Sequence, residues 1–434
     1  PKPQTPNPKP QTPCSGQIKR VEKVKSAINR MSLSALELDS KFYQRMVRTV
    51  RSYQKLSLKL LPIGRMSLLQ EGHEFATRLL YELENAKTHI WISTYYIDTT
   101  MGGDLFLEKL IEASLRGVSV VFLLERLNSE LNQAKLKQLE NSGAILLSRN
   151  FNRYLEFFVS LFNREFYKRD HQKVYLIDNK VFVGSANIGD DYFGPQMGNG
   201  FFSDLTFFGE NVFLSDSINM MIRMIENCLS LPQVVRKSSM VEKIKKNYFS
   251  YLRLYSEDYT MNNIRFLLTF QPSVLEIQEA MFEAIRNAKH SIKIINPYYY
   301  KISDFEIELI SAHRRGVKVE ILTGRKRDVP VYKHFNSGVF FEALVRDGIP
   351  VYDHTSPKYL HTKAMMVDEN LVQVGSYNLD HYSYYINTEV NVEIVGDRKI
   401  ISDFNSYWDL LMKDTERIDI NKRPFLPFKK KLKR

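Results

Sequence analysis

The chain has 434 residues, which suits about two or three domains better than one core, and 61 basic against 49 acidic side chains give a formal net charge of +12. A hydrophobic fraction of 44% excludes a disordered chain, and two cysteines cannot form a disulfide framework. The charge indicates a phosphate-bearing partner, either lipid or nucleic acid, and no apolar run reaches the roughly 18 residues of a transmembrane helix.

The two ends of the chain differ in composition from its centre. The first 17 residues contain PKPQTP twice, which predicts a polyproline spacer, and residues 18–61 predict one or two amphipathic helices. The final segment, KRPFLPFKKKLKR, predicts a solvated basic tail, with contact to an anionic membrane as the alternative. Because the sequence does not begin with Met, a missing N-terminal anchor or signal is left open.

Between these ends the chain repeats itself. Four segments of the first half recur in the second half in the same order, which predicts a duplicated domain. The matched pairs are ENAKTHIWIS (84–93) with RNAKHSIKII (286–295), RGVSVVFL (116–123) with RGVKVEIL (315–322), NSGAILL (141–147) with RDGIPVY (346–352), and HQKVYLID (171–178) with HTKAMMVD (361–368).

Each half alternates helix-period segments with short β-rich runs, such as Ile90–Tyr96 and its counterpart Ile292–Asn296. This alternation predicts an α/β fold with two similar lobes, each a mixed β-sheet flanked by helices. We expect a pseudo-two-fold relation between the lobes and one shared active site at their interface. The predicted divisions are a Pro-rich disordered spacer (1–17), a helical N-terminal segment (18–61), a first lobe (62–235), an interlobe linker (236–262), a second lobe (263–415) and a basic C-terminal tail (416–434).

The fourth repeated pair carries the chemistry, as His-x-Lys-x-x-x-x-Asp followed by Gly-Ser-x-Asn. Residues i and i+2 of a strand face the same side, so each His projects together with its Lys. Glycine permits close backbone approach, and the serine hydroxyl can meet a phosphate oxygen. The first copy consists of His171, Lys173, Asp178, Gly184, Ser185 and Asn187, and the second of His361, Lys363, Asp368, Gly375, Ser376 and Asn378.

Two such sets that face each other supply what a phosphodiester exchange needs. One imidazole attacks phosphorus to give a covalent phosphohistidine, while the other protonates the leaving alkoxide and then deprotonates the incoming water or alcohol. The lysines, serines and asparagines stabilise charge on the non-bridging oxygens, and each aspartate is expected to orient an imidazole. No metal or other cofactor is expected, because the lysines provide the positive charge.

The paired motifs resemble those of the phospholipase D superfamily, specifically its bacterial cardiolipin-synthase-like branch. The resemblance covers about residues 65–412 and includes HTKAMMVDENLVQVGSYNLDHYS and NIGDDYFGPQMGNGFFSDL. It implies that His171 is the nucleophile and His361 the acid/base. It further implies phosphate binding by Lys173, Lys363, Asn187 and Asn378, a supporting role for Asp178 and Asp368, and support by Glu389 for the histidine of the other motif.

The first copy departs from the second in two ways. Five residues separate Asp178 from Gly184, where six separate Asp368 from Gly375, which predicts a shortened hairpin turn. The first copy also has Asp204 in place of an obvious equivalent of Glu389.

The aromatic and basic segment at 151–170, just before His171, has three interpretations. It forms an internal aromatic cluster, an interfacial helix or lid that meets acyl chains, or a stacking surface for nucleic acid.

The motifs and the resemblance together predict a phosphodiester-processing enzyme that acts on phospholipids. The acceptor is water, as in a phospholipase D, or an alcohol, as in a phosphatidyltransferase of the cardiolipin synthase type. A nuclease of the same superfamily is the alternative, and the intact motifs disfavour an inactive lipid- or nucleic-acid-binding protein. We expect a monomer that associates peripherally with a membrane surface.

Overall fold

A computed structural model describes residues 66–125, 129–148, 168–193, 202–210, 220–221, 223–224, 263–300, 302–324 and 341–419. The predicted spacer, N-terminal helices and interlobe linker lie outside the described residues, as do residues 151–167 of the aromatic segment and the tail after residue 419. Among the described residues, no helix combines the length and the hydrophobicity that a membrane span requires.

The first lobe is built on a seven-stranded mixed sheet. Its strands, with the short β7 that pairs elsewhere, are β1 (Met66–Gln70), β2 (His89–Thr94), β3 (Ser119–Leu124), β4 (Ile145–Ser148), β5 (Val174–Ile177), β6 (Lys180–Gly184), β7 (Phe202–Ser203) and β8 (Leu205–Glu210). The order across the sheet is β1-β8-β6-β5-β2-β3-β4. The strands β2, β3 and β4 run parallel, and the remaining neighbours are antiparallel.

The second lobe repeats this arrangement in a nine-stranded sheet. Its strands, with the short β14 that pairs with β7, are β9 (Ile264–Phe270), β10 (Val274–Leu275), β11 (Ser291–Ile295), β12 (Lys318–Gly324), β13 (Val351–His354), β14 (Tyr359–Leu360), β15 (Ala364–Val367), β16 (Leu371–Gly375), β17 (Thr388–Val395) and β18 (Thr415–Arg417). The order is β10-β9-β17-β16-β15-β11-β12-β13-β18. Counted across the sheet, the seven consecutive strands β9-β17-β16-β15-β11-β12-β13 therefore match the seven strands of the first sheet one by one. The edge strand β18 continues past residue 415, where the second lobe was predicted to end.

Helices cover the outer face of each sheet. In the helix over residues 276–287 the buried apolar residues recur three and four positions apart, which places them on one face against the second sheet. The helices are α1 (Glu71–Asn85), α2 (Met101–Leu115), α3 (Gln133–Asn141), α4 (Asp190–Phe193), α5 (Glu276–Asn287), α6 (Ser303–Arg314), α7 (Glu342–Arg346), α8 (His381–Tyr385) and α9 (Arg398–Met412). The predicted α/β fold of two lobes, each a mixed sheet flanked by helices, is confirmed.

The inner faces of the two sheets meet in one apolar core. Trp91 and Leu176 of the first sheet belong to the same buried cluster as Met366 and Val374 of the second, and α9 contributes Phe404 to it. Because the outer faces are buried under helices as well, the central strands are apolar on both sides. The packing of sheet on sheet determines which ends of the two lobes face each other.

Candidate active site

Each motif histidine lies just before a strand of its own lobe, but the backbone of the other lobe anchors it. The N–H of His171 donates to the carbonyl of Thr388 at 3.0 Å, and the N–H of His361 donates to the carbonyl of Ser203 at 2.9 Å. The parallel pairing of β7 with β14 extends the second connection. Neither lobe alone therefore sets the position of its histidine.

The carboxylate partners of the histidines are also exchanged between the lobes. Glu389 on β17 lies with Oε2 2.9 Å from Nδ1 of His171, and Asp204 lies with Oδ1 2.8 Å from Nδ1 of His361. Both carboxylates are buried. Asp204 thus stands in the same relation to His361 as Glu389 does to His171. Comparison of the two motif copies found no obvious first-lobe equivalent of Glu389, because the first lobe has an aspartate, Asp204, whose side chain is one methylene shorter.

The charges of this cluster determine the tautomer of His171. Burial alone would raise the pKa of Glu389, but His171, Lys173 and Ser376 outweigh burial and lower it. Burial lowers the pKa of His171 to about 4, and the attraction of Glu389 offsets this only in part. An ionised Glu389 accepts a hydrogen bond from Nδ1–H, so a neutral His171 presents the lone pair of Nε2.

Asp204 is ionised for a similar reason. Its burial raises the pKa, but the opposing effects of His361, Lys363 and the Ser185 hydroxyl hold the pKa below its ordinary value. The carboxylate therefore accepts the hydrogen bond from Nδ1 of His361.

The two motif lysines are almost wholly buried beside the histidines. Lys173 Nζ donates to the carbonyl of His171 at 2.8 Å, and Lys363 Nζ donates to the carbonyl of His361. Burial, together with repulsion from Lys363, lowers the pKa of Lys173 well below its ordinary value. A bound anion between the lysines would reverse that effect, because a nearby negative charge favours the protonated amine.

Two tyrosines complete the cluster, and the sequence analysis missed them. Lys173 Nζ lies 5.0 Å from the centroid of the Tyr95 ring, which also packs edge-on against His171 at 4.5 Å. Lys363 Nζ lies 5.7 Å from the Tyr298 ring, whose centroid is 6.3 Å from that of His361. Such contacts orient an ammonium group. Aromatic residues directly after β2 and β11, in TYYID and NPYYYK, were the available signal.

The two motif serines were predicted to contact phosphate, and in the structure both hydrogen-bond to the carboxylates. Ser185 Oγ donates to Asp204 Oδ1 at 2.6 Å, and Ser376 Oγ donates to Glu389 Oε2 at 2.6 Å. A hydroxyl has one proton to donate, so neither serine can donate to a phosphate oxygen while it holds its carboxylate. Asn187 and Asn378 are buried and remain predicted phosphate ligands.

The motif aspartates do not orient the imidazoles, and that prediction is wrong. The carboxylate of Asp178 accepts the backbone N–H groups of residues 87, 88 and 89 at 2.9, 2.8 and 3.2 Å. The carboxylate of Asp368 accepts those of residues 289, 290 and 291 at 2.8, 2.7 and 2.8 Å. Both aspartates adopt positive φ, at 50° and 54°. Each therefore ties the turn after a motif strand to the chain that begins the neighbouring strand.

We expect Asp178→Ala to destabilise the fold rather than to change the chemistry. Three backbone donors would lose a charged acceptor, which should lower the free energy of unfolding by about 2–4 kcal/mol. Urea unfolding would measure this. The exposed Glu84→Ala is the matched control, with an expected loss below about 0.5 kcal/mol. A stable Asp178→Ala protein with a catalytic defect would contradict this assignment.

No group of three or more His, Cys, Asp or Glu side chains in the described ranges is arranged to hold a metal ion. The site instead consists of two imidazoles, two ammonium groups and two carboxylates. When both lysines are protonated and both imidazoles neutral, these formal charges balance.

Comparison with known proteins shows the family. The model for the family described as cardiolipin synthase, PLD-like domain, matches residues 79–204 and 281–411. Each match contains one copy of the His-Lys motif, and together they cover more than half of the chain. The chain belongs to this family.

Individual relatives are more distant. The chain is 26% identical over 353 residues to a cardiolipin synthase of Geobacillus kaustophilus. The aligned region covers 78% of this chain and 65% of that protein. It is also 26% identical over 345 residues to a cardiolipin synthase of Halalkalibacterium halodurans, covering 78% and 64%. The chain thus spans about 65% of the length of such relatives. A phosphatidylserine synthase structure from Haemophilus influenzae shares the fold, with a TM-score of 0.63 at 15% identity over 87% of this chain and 93% of that one.

Proposed function

We propose that this member of the family is a phosphatidyltransferase that exchanges the alcohol of a phospholipid phosphodiester through a covalent phosphohistidine at His171. The observation that supports this most strongly is the pair of histidines, each held at Nδ1 by a buried carboxylate from the other lobe. The names of the curated relatives support a phospholipid as the substrate. In this proposal, one phosphatidylglycerol molecule donates the phosphatidyl group and a second accepts it through a free hydroxyl.

The first half of the reaction transfers the phosphatidyl group to the protein. The Nε2 lone pair of His171 attacks phosphorus, a P–N bond forms, and the P–O bond to the headgroup alcohol breaks. His361, protonated at Nε2, gives its proton to the departing alkoxide. The neutral state of His171 suits it to attack, because its pKa of about 4 leaves Nε2 unprotonated at neutral pH.

The second half returns the phosphatidyl group to an acceptor. His361 takes the hydroxyl proton of the incoming alcohol, the alcohol oxygen attacks phosphorus, and the P–N bond to His171 breaks. With water in place of the alcohol, the same step yields phosphatidic acid. Lys173 and Lys363 would balance the charge that develops on the non-bridging oxygens in both halves.

An assay with two substrates tests this function. Wild-type protein with phosphatidylglycerol vesicles should produce cardiolipin and glycerol, and it should leave single-stranded DNA intact. The turnover should persist in EDTA, because the lysines supply the positive charge of the mechanism. Cleavage of DNA without lipid turnover would indicate a nuclease instead, and a strict requirement for a divalent ion would contradict the mechanism.

Peripheral association with an anionic membrane is part of this proposal. Tyr382 and Tyr385 on α8 are 48% and 54% exposed, and Ser383 between them hydrogen-bonds to Glu389 at the site. Exposed tyrosines suit a headgroup boundary, and a net charge of +12 complements an anionic surface.

Replacing both tyrosines, as Tyr382→Ala with Tyr385→Ala, should weaken binding to phosphatidylglycerol vesicles about tenfold, because about 1.4 kcal/mol of interfacial contact corresponds to that factor. Vesicle co-sedimentation would measure it. Tyr81→Ala on α1, where the tyrosine is 58% exposed, is the matched control and should bind as the wild type does. Equal losses in both proteins would contradict a surface centred on α8.

A further inference from the structure

The two carboxylates that hold the histidines are not equally supported. Glu389 uses both oxygens: Oε2 contacts His171 and Ser376, and Oε1 accepts from Ser383 Oγ at 2.5 Å. Asp204 uses Oδ1 for His361 and Ser185. Its Oδ2 is buried and has no hydrogen-bond partner among the described residues. The two motifs are therefore symmetric, but the hydrogen-bond partners of their two carboxylates are not.

The orientation of the Ser383 hydroxyl is determined by its neighbours. Its Oγ accepts the backbone N–H of Asn378 at 3.2 Å, so its single proton is directed to Glu389. The N–H of Ser383 donates in turn to Asp380 Oδ1 at 2.9 Å, which caps α8. Ser383 is wholly buried, so water does not compete for these bonds.

The first lobe has a different residue at the matching place. Ser383 follows Asn378 by five positions, and the residue five positions after Asn187 is Tyr192. The ring of Tyr192 stacks on Phe202 with centroids 4.4 Å apart. The duplicated motifs therefore differ by a hydroxyl that reaches the carboxylate beside His171 and has no counterpart at Asp204 Oδ2.

We propose that Ser383 is a positioning residue that weakens Glu389 as a base toward His171 and thereby keeps His171 the nucleophile. A carboxylate whose charge is shared with more donors binds the imidazolium proton less strongly. Asp204, with one oxygen unshared, stabilises the imidazolium of His361 better and suits it to act as the acid. The assignment of these two roles rests on the proposed function, but the unequal basicity of the carboxylates does not.

Other charged groups around His171 would stay as they are when the Ser383 hydroxyl is removed. Glu389 from β17 raises the pKa of His171, whereas Lys173 and Lys363, which precede β5 and β15, lower it. Tyr95, after β2, packs on the His171 ring. Asp380, at the start of α8, affects His171 only indirectly, through charge repulsion with Glu389. Loss of the hydroxyl strengthens only the Glu389 contribution.

The test is Ser383→Ala, with the imidazoles of the substrate-free protein titrated by NMR on ring-¹⁵N histidine. The pKa of His171 should rise by about one pH unit, as expected for the loss of one hydrogen bond to a charged group. Because protonated His171 cannot attack, the acid limb of kcat/KM should move to higher pH by the same amount. Ser383→Thr, which keeps the hydroxyl, should restore both values.

Ser185→Ala is the matched control in the other lobe. It removes a donor from Asp204, so it should raise the pKa of His361 and shift the basic limb while the acid limb stays in place. If Ser383→Ala does not fold, Ser383→Cys fills the same space with a weaker donor and should give the same direction of shift. An unchanged titration of His171, or equal shifts of both histidines, would overturn the proposal. The NMR titration needs no substrate, so a chain that turns over no phospholipid would refute the proposed function and leave this inference open to its own result.

Discussion

His171→Ala is expected to abolish the covalent intermediate and to lower phosphatidyl transfer about 10⁴-fold or more. The reason is that Nε2 of His171 is the only atom in the mechanism that can hold the phosphatidyl group, and removal of a catalytic nucleophile has effects of this size or larger. Rapid quench followed by intact-protein mass spectrometry would show whether the adduct forms. His73→Ala, at an exposed histidine of α1, is the matched control and should retain both adduct and turnover.

A different location of the adduct would be informative as well. A phosphohistidine trapped at His361 would reverse the division of labour between the two residues and preserve the two-histidine mechanism. An adduct that still forms in the His171→Ala protein at the wild-type rate would contradict the assignment of the nucleophile.

His361→Ala should have a large effect that depends on the leaving group. General-acid help is worth about 10²–10⁴-fold, so transfer from a natural phospholipid should fall by that factor. A p-nitrophenyl phosphodiester has a leaving group of low pKa that needs little protonation, so most of its release in the first half-reaction should survive. The measurement is the rate of leaving-group release in a single turnover, which excludes the second half-reaction, for the two substrates in each variant.

The same substrate pair applied to His171→Ala provides the comparison. That variant should stay inactive with both substrates, because an activated leaving group does not replace a missing nucleophile. If His361→Ala slows both substrates equally, the result would contradict the assignment of His361 as the general acid that protonates the leaving alkoxide.

The alternation of helical and β-rich segments was sufficient to predict the α/β class and the two lobes. The matched segments also overlap β2, β3, β4 and β5 and their counterparts in the second lobe, so four of the seven repeated strands could be paired from the sequence. These features are local, because an apolar strand of four residues such as Val174–Ile177 must be buried on both faces wherever it lies. The motif spacing predicted that His171 and Lys173 lie side by side on a strand; Lys173 Nζ does contact the carbonyl of His171, but β5 begins only at Val174.

The partners of the motif side chains could not be read in the same way. His171 and Glu389 are 218 positions apart, and His361 and Asp204 are 157 apart, so only the packing of one sheet on the other brings them together. Spacing says which side of a strand a residue faces, but not which group of the other lobe it meets.

Sequence analysis was therefore enough to predict the fold class and the duplication of the motif, and it supplied the proposed site residues. The folded structure was needed to show that Asp178 accepts backbone amides and does not hold a motif imidazole, and that Ser185 and Ser376 donate to carboxylates. It also revealed Ser383. The physical reason is that a buried polar atom must find a hydrogen-bond partner, and that partner is whichever group the folded chain brings within about 3 Å.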